Sequence, residues 1–302
     1  MRKRRILILG GSGFLSGTIA RRALENGDSV WTVTRGQRPA VDGVTSLVAD
    51  RADTGALREA VASAGVRFDA VIDCIGYKPQ DAVQDLELFP GLAAHLVFVS
   101  TDFVFDPSQR RFPQNDDNDA YLTDDGYGAN KRQCEELLIA AGVERLPWTV
   151  LRACHIYGSG SKLGCLPEHS RDEKLIERLR AGERLRLVGG GHFLQQPVFA
   201  RDLADIALAC SDAPKAIGKI LHTVGPEILE SREYYQIIAD ELGVKLAIEE
   251  VPVSEYLAAH PEHASFLCHR IYRLDAIAAA GLPLPSTSMR EGLREHVRSL
   301  LA

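Results

Sequence analysis

Tyr127 and Lys131 stand four residues apart in a segment with a helical pattern, so their side chains share one helical face. A nearby ammonium stabilises a phenolate and lowers the pKa of a tyrosine from its ordinary value of about 10. Such a tyrosine can give or take a proton near neutral pH. The pair follows an apolar run that ends in the hydroxyl residues Ser100 and Thr101. Together these residues predict acid–base chemistry, whereas a tyrosine–lysine pair alone occurs by chance in many helices.

A second chemical signal is the glycine-rich turn that follows the first apolar run of the chain. Glycines allow a tight turn and let backbone amides approach a pyrophosphate, whose charge the N-terminus of the next helix favours. A glycine turn that only connects two elements is the alternative, but this one opens a strand–turn–helix unit. The residues expected to hold a dinucleotide there are Gly10, Gly11, Ser12, Gly13, Phe14 and Leu15.

The end of the second apolar run indicates which dinucleotide is used. Proteins that bind NAD usually place an acidic residue there to hold the ribose 2′-hydroxyl. This chain has no acid at that point and carries Arg35 and Arg38 instead. A guanidinium suits a 2′-phosphate because its planar fork makes paired, charge-assisted hydrogen bonds. We therefore expect NADP, with NAD as the alternative cofactor and a solvated basic loop as the alternative reading of the arginines.

The elements that must position these residues alternate along the first half of the chain. Apolar runs typical of buried strands alternate with helical patterns, which favours parallel βαβ units and a doubly wound Rossmann sheet. Asp53 is expected to cap the second helix. The predicted strands are Ile6–Leu9, Val30–Thr34, Thr45–Ala49, Ala70–Ile75, Leu96–Ser100, Thr149–Ala153 and Lys219–Val224; the helices are Ile19–Leu24, Thr54–Ala64, Asp81–Leu88, Tyr127–Ala141, Asp172–Ala181, Asp202–Cys210 and Ser231–Leu242.

The pattern loosens after about residue 155, and no low-complexity linker interrupts the chain. We expect an NADP-binding Rossmann domain over residues 1–158, completed by parts of 195–225. Residues 159–302 would mainly form a smaller α/β domain that binds substrate. Ser231 is a candidate cap for a helix that Gly243 would end.

The order of the motifs resembles the extended short-chain dehydrogenases/reductases, the NAD(P)-dependent epimerase/dehydratase family. The resemblance covers nearly the whole chain. It is carried by the glycine turn, the Ser-Thr strand end and four further segments, which are Tyr127–Lys131, Leu151–Gly158, Phe199–Ala204 and His222–Pro226. One departure is Ser16, which stands where the family's last motif glycine is usual.

This resemblance implies roles for individual residues. Thr101 would hold the reacting oxygen by a hydrogen bond, and Tyr127 would exchange the proton. Lys131 would bind the nicotinamide ribose and tune Tyr127. The residues expected to line the cofactor at the ends of the third and fourth strands are Asp50, beside the adenine, and Cys74, Ile75 and Gly76.

The same resemblance bears on the substrate. The stretch Ser100–Asp106 is closest to dTDP-4-dehydrorhamnose reductases, which favours reduction of a carbonyl in a sugar-like or small polar metabolite. His155 stands where many nucleotide-sugar enzymes carry asparagine, and Gln195 and Gln196 stand where they often carry an arginine. Because glutamine cannot neutralise a diphosphate, we expect these three residues to contact a substrate that depends less on a nucleotide diphosphate.

Two alternatives stay open. The first is a redox-neutral nucleotide-sugar epimerase or dehydratase; dehydratases of this family usually follow the hydroxyl residue with a carboxylate pair, and here only Asp102 follows Thr101. The second is a non-catalytic NADP-sensing or RNA-binding protein of the chloroplast stem-loop-binding type. The complete tyrosine–lysine set and the net charge of −6 disfavour nucleic acid as a partner.

Composition adds few constraints. The 302 residues, 45% hydrophobic and 25% charged, are typical of a globular protein. Six scattered cysteines without a paired motif favour a reduced, cytoplasmic chain, with no membrane span and with a homodimer left open. We expect no metal site, since His169, His192 and His222 lack ligand spacing, and Asp116–Asp119 is typical of a solvated loop.

Overall fold

A computed structural model describes residues 3–114 and 119–302. Most of the acidic run Asp116–Asp119, predicted to be a solvated loop, lies outside the described residues. Within the described part of the chain, no helix is both long and apolar enough to cross a bilayer.

Thirteen strands, seven of them in one sheet, are found in the described residues. In chain order they are β1 Arg5–Leu9, β2 Ser29–Thr34, β3 Thr45–Val48, β4 Ala70–Asp73, β5 Leu96–Thr101, β6 Trp148–Ala153, β7 Ile156–Tyr157, β8 Arg184–Val188, β9 Leu194–Gln195, β10 Val198–Phe199, β11 Lys219–Thr223, β12 Leu229–Glu230 and β13 Ala247–Val251.

Ten α-helices lie between and after these strands in the same residues. They are α1 Phe14–Glu25, α2 Thr54–Ser63, α3 Pro79–Leu88, α4 Tyr127–Ala141, α5 Leu175–Arg180, α6 Ala200–Ala209, α7 Ser231–Leu242, α8 Val253–Ala259, α9 Asp275–Ala279 and α10 Met289–Leu301.

The main sheet is parallel throughout, with the strand order β11-β6-β5-β4-β1-β2-β3. The direction in which the chain winds reverses between β1 and β4. Ligands of such sheets bind at the carboxyl ends of the strands beside this switch point. The register pairs Thr101 of β5 with Ala153 of β6, so the end of β5 lies beside the segment that carries His155.

Helices cover both faces of the sheet, as its doubly wound order requires. Apolar side chains of α1 and α6 pack on one face, and those of α2, α3 and α4 pack on the other. The central strands β4, β5 and β6 are buried at every residue, which explains why they are apolar runs in the sequence, whereas the edge strand β3 is buried only at Leu47. The predicted α/β class with a Rossmann sheet is confirmed.

The remaining elements form a smaller unit with its own apolar cluster. Its parallel pair β8–β13 packs with α5, α7 and α10. Two short strand pairs connect this unit to the region of the main sheet. The pair β9–β12 is antiparallel, and the pair β7–β10 is parallel. Residues 277–282 leave this unit and pack into the cluster on the α1 and α6 face of the sheet.

Most predicted element positions are confirmed to within two residues, and α4 begins and ends as predicted. The side chain of Asp53 caps α2 by accepting a hydrogen bond from the amide of Ala56 at 2.9 Å. Two predictions are wrong in detail. Ser231 is the first residue of α7 and Glu230 is its cap, and the helix expected from Asp172 begins only at Leu175 because Asp172 is used in a turn.

A buried ion pair fixes α4 against the sheet. The carboxylate of Glu135, fully buried on α4, accepts hydrogen bonds from Ser100 Oγ at 2.6 Å and from Arg152 Nη2 at 2.6 Å. Arg152 Nε donates a further bond to it at 3.0 Å. Ser100 lies on β5 and Arg152 on β6, so one carboxylate joins α4 to both strands.

We predict that Glu135→Gln lowers the free energy of unfolding by about 3–5 kcal/mol, because the guanidinium of Arg152 is left buried without its counter-charge. Equilibrium urea unfolding measures this change. Glu136→Gln is the matched control, since Glu136 is exposed and its one ion pair among the described residues is with Arg132. That control should change stability by less than about 0.5 kcal/mol. Equal unfolding midpoints for the two variants would contradict the prediction.

Candidate functional site

The glycine turn between β1 and α1 requires its glycines. Gly10 and Gly11 have φ values of 106° and 124°, a region that other residues rarely adopt. A Cβ added at Gly11 would also lie 2.5 Å from the side chain of Thr32 on β2. Gly13 caps α1 without a side-chain oxygen, so the first amides of the helix face the turn as they do in anion-binding sites.

A cleft of about 860 Å³ opens at this turn along the carboxyl ends of β1 to β4. It brings together most of the residues expected to bind the cofactor. These are Gly10, Ser12, Gly13, Phe14, Leu15, Arg35, Arg38, Asp50 and Ile75. Gly11 faces a neighbouring hollow of about 660 Å³ on the other side of the turn.

Arg35 and Arg38 are exposed at the rim of the cleft just after β2. Neither forms an ion pair with another described residue. Asp50, after β3, uses one carboxylate oxygen to accept a hydrogen bond from the Ala52 amide at 3.0 Å. Two unpaired guanidinium groups therefore lie where the adenosine end of a dinucleotide would enter, a setting that favours an anionic group.

Arg51, which no sequence motif singled out, also lines the cleft. Its guanidinium is largely buried and contacts Asp73 at 2.8 Å and Asp85 at 2.6 Å. These contacts link the end of β3 to β4 and α3. Burial together with Asp73 raises the pKa of Asp85 well above its ordinary value, while Arg51 holds the pKa of Asp73 below its own. No sequence signal identified this cluster, since its partners lie more than twenty residues away.

Tyr127 begins α4 outside the lining of the cleft, next to Tyr77, which does line it; the two ring centroids are 6.4 Å apart. The next residue, Gly128, allows α4 to start close to the end of β5. A Cβ at Gly128 would lie 2.0 Å from the carbonyl oxygen of Phe103. The Tyr-Gly pair thus brings the phenol close enough to the hydroxyl of Thr101 for that hydroxyl to lower the pKa of Tyr127.

The pKa of Tyr127 departs from its ordinary value in the direction opposite to the one predicted. Tyr127 is half exposed, and partial burial of its phenol, together with Tyr77, raises the pKa to about 12, while the nearby Thr101 hydroxyl only partly offsets this. The tyrosine is therefore protonated at neutral pH. The ammonium of Lys131 is not among the largest influences on this pKa, and it donates to the carbonyl oxygens of Gly76 and Val99.

Lys131 is almost fully buried, and its Nζ donates to two carbonyl oxygens, Gly76 at 2.7 Å and Val99 at 2.5 Å. It also lies 4.5 Å from the centre of the Phe98 ring. Burial lowers its pKa, and the carboxylate of Asp73 opposes that shift. The ammonium thus lies between β4 and β5, in contact with the carbonyl oxygens of Gly76 and Val99.

The three residues expected to contact substrate differ in their hydrogen bonds. Gln196 has both ends of its amide occupied, since it donates to the Gly225 carbonyl at 3.0 Å and accepts from the Tyr272 amide at 2.9 Å. In contrast, His155 Nε2 and Gln195 Nε2 are buried with no hydrogen-bond partner among the described residues. Burial, Arg171 and Arg270 lower the pKa of His155 well below its ordinary value, so its imidazole is neutral.

A second buried ion pair follows Thr101. Asp102 is 1% exposed and accepts hydrogen bonds from Arg270 Nε at 2.6 Å and Nη2 at 2.8 Å. The hydroxyl of Tyr272 also donates to it, at 2.6 Å. Arg270 reaches Gln195 Oε1 as well, at 3.2 Å. Arg270 was not predicted, because it lies 168 residues from its carboxylate partner.

Comparison with known proteins places this geometry in a family. A family model described as the NAD dependent epimerase/dehydratase family matches residues 6–223, which span the main sheet from β1 to β11.

Among curated proteins, 2-alkyl-3-oxoalkanoate reductase of Stenotrophomonas maltophilia (strain K279a) is 28% identical over 265 residues, covering 79% of this chain and 76% of that protein. The chloroplast stem-loop binding protein of 41 kDa b of Arabidopsis thaliana is 25% identical over 238 residues, covering 74% of this chain. That alignment spans 59% of the length of the chloroplast protein.

Among solved structures, a UDP-glucose 4-epimerase of Thermotoga maritima with UDP-glucose superimposes with a TM-score of 0.79 at 17% identity, covering 98% of each chain. This likeness supports the same fold. The family model matches most of the chain, and the doubly wound sheet with the glycine turn at its switch point agrees with that match. The protein therefore belongs to the NAD-dependent epimerase/dehydratase family, a family of enzymes.

Proposed function

We propose that the protein is an NADP-dependent oxidoreductase that reduces a carbonyl group in a sugar-like or small polar metabolite. In this reaction Tyr127 donates the proton to the oxygen of the substrate. The observation that carries the proposal is the closeness of the Tyr127 and Thr101 hydroxyls, next to Tyr77 at the edge of the cleft that begins at the glycine turn.

A protonated Tyr127 is in the state that a reduction requires. With a pKa raised to about 12 the phenol keeps its proton at neutral pH, and a reduction consumes a proton at the substrate oxygen. Thr101 can hold that oxygen by a second hydrogen bond. The proton leaves the phenol as the carbonyl oxygen gains charge, and Lys131 places a buried positive charge beside the Gly76 and Val99 carbonyls at β4 and β5.

The cleft suits NADP. When bound, the nicotinamide supplies the hydride for the reduction. The glycine turn and the N-terminus of α1 would hold the pyrophosphate, and Asp50, Ile75 and Gly76 would line the cofactor. Arg35 and Arg38 would hold the 2′-phosphate, because they are exposed at the rim and free of carboxylate partners among the described residues.

The substrate would lie between the sheet and the smaller unit, so that residues 1–158, completed by parts of 195–225, bind the cofactor and residues 159–302 mainly bind substrate. Buried polar atoms without partners are rare in proteins and often face a ligand or water. His155 and Gln195 each carry one. We assign substrate contact to these two residues and leave Gln196 as a structural link, since its amide is occupied.

A redox-neutral reaction is the alternative, favoured by the likeness to a solved UDP-glucose 4-epimerase. The dehydratase form of this alternative is disfavoured by the position of Asp102. The guanidinium of Arg270 keeps the pKa of that buried carboxylate below its ordinary value, so it is a poor proton donor. An epimerase differs from a reductase in consuming no free NADPH.

RNA binding is a further alternative, since one curated relative is named as a stem-loop binding protein. The net charge of −6 gives no electrostatic attraction to a polyanion. A labelled stem-loop RNA added to the assays below separates this role from catalysis.

The first test of the proposal is Tyr127→Phe, which removes only the phenolic hydroxyl. We expect turnover to fall by about 10²–10⁴-fold, because proton donation is lost, while NADPH binding is retained. Consumption of NADPH is followed with a panel of 3-oxo acids, keto sugars and UDP-glucose, and NADPH affinity is measured separately by fluorescence. Turnover within twofold of the wild type would exclude Tyr127 as the proton donor. Interconversion of UDP-sugars without NADPH consumption would replace the reductase by the epimerase.

The second test concerns the cofactor. We predict that the wild type binds NADP more tightly than NAD and that Arg35→Ala removes most of the difference. A lost charge-assisted hydrogen bond costs about 1.5–3 kcal/mol, or roughly tenfold or more in affinity. Calorimetric titration of both dinucleotides measures the preference. Arg58→Ala on α2, an exposed arginine outside the cleft, is the control and should leave both affinities unchanged. Equal affinities of the wild type for NAD and NADP would refute the assignment.

A further inference from the structure

We propose that His260, Glu262 and His263 bind one divalent transition-metal ion of the zinc type. The three residues lie where α8 ends and a short 3-10 helix over Pro261–Phe266 begins, outside the cofactor cleft. One potential ligand atom from each residue lies within 4.8 Å of the other two. The sequence analysis expected no metal site, since it considered only histidines that are far apart in the chain.

The geometry of the short helix brings the two histidines together. A 3-10 helix has three residues per turn, so side chains three apart lie one above the other. The imidazole rings of His260 and His263 are accordingly stacked, with centroids 5.5 Å apart.

Glu262 Oε1 lies between the two rings, 3.4 Å from His260 Nδ1 and 3.9 Å from His263 Nε2. Nitrogen and oxygen ligands at about 2.0–2.1 Å from a tetrahedral zinc ion are about 3.4 Å apart. The stacked imidazole rings must turn for both nitrogens and Oε1 to meet at one ion, and all three side chains are at least partly exposed.

A neighbouring side chain orients one of these ligands. The hydroxyl of Tyr256, on α8, lies 3.0 Å from His263 Nδ1. In the tautomer whose Nε2 can bind a metal, Nδ1–H donates this hydrogen bond to the tyrosine oxygen. Partners of this kind fix the ring orientation of metal-binding histidines.

The ligand set indicates the class of ion. Two imidazoles and one carboxylate suit Zn²⁺, Co²⁺, Ni²⁺ or Cu²⁺, whereas Mg²⁺ and Ca²⁺ prefer oxygen ligands. Three protein ligands leave a coordination position for water or another small ligand.

The same helix reaches the candidate active site. The ring of Phe266 packs edge-on against Phe103, with centroids 4.8 Å apart, and the Phe103 amide donates to the Thr101 hydroxyl at 3.2 Å. An ion bound at the start of this helix would therefore restrain a segment that packs beside the proposed catalytic hydroxyl.

The test is calorimetric titration of the full chain, stripped with chelator, with Zn²⁺ and separately with Mg²⁺, followed by the visible spectrum of bound Co²⁺. We expect one Zn²⁺ per chain and no Mg²⁺ binding at the same concentrations. His263→Ala should weaken Zn²⁺ binding by at least tenfold. Tyr256→Phe, which retains all three ligands, should weaken it by about 10–100-fold. His192→Ala is the matched control, because His192 is also exposed and pairs with a single carboxylate, Glu230, at 3.0 Å.

Absence of saturable Zn²⁺ binding would overturn the proposal. So would equal Zn²⁺ affinities of the wild type and His263→Ala, or an equal loss in His192→Ala, which would indicate general binding by surface histidines. Glu262→Gln gives an independent check should His263→Ala fold poorly, and it should lower the affinity while the melting temperature of the metal-free protein stays unchanged.

Discussion

The carboxylate of Glu135 is the group through which α4 is fixed to the sheet. It lies four residues after Lys131 and eight after Tyr127, so these three side chains occupy related positions on the helix. Its bonds to Ser100 and Arg152 fix α4 to β5 and β6 together. A buried ion pair contributes little net stability compared with apolar packing, but removing one partner is costly. In this protein the ion pair fixes the position of α4 relative to β5 and β6.

Thr101 is held from both sides along the chain. The residue before it, Ser100, donates to Glu135, and the residue after it, Asp102, is paired with Arg270. Each neighbour is thus held by a buried carboxylate–guanidinium cluster, one inside the main sheet and one reaching the C-terminal segment. The hydroxyl proposed to hold the substrate oxygen therefore needs no rearrangement of its own backbone, which is how preorganised sites reduce the cost of catalysis.

The sequence could predict much of the fold because buried parallel strands are apolar runs separated by glycine turns, as at Gly10–Gly11. It could also place Tyr127 and Lys131 on one helix face. It could not predict the pKa of Tyr127, since that depends on burial and on Tyr77 across the cleft. Nor could it pair Arg270 with Asp102, because no local spacing relates residues so distant in the chain. Two-residue strands such as β7 and β9 are too short to show a period.

The return of residues 277–282 to the main sheet has a consequence for how the molecule can be divided. Ile277 and Leu282 fill the apolar layer beneath α1 and α6, although they lie between α7 and α10 of the smaller unit in the chain. A fragment cut after residue 158 would lack these side chains and also β11, the edge strand beside β6. Its exposed apolar layer and unpaired strand would favour aggregation. Residues before and after position 158 therefore share one apolar core. Insertions or deletions on one side of this position would change the packing on the other.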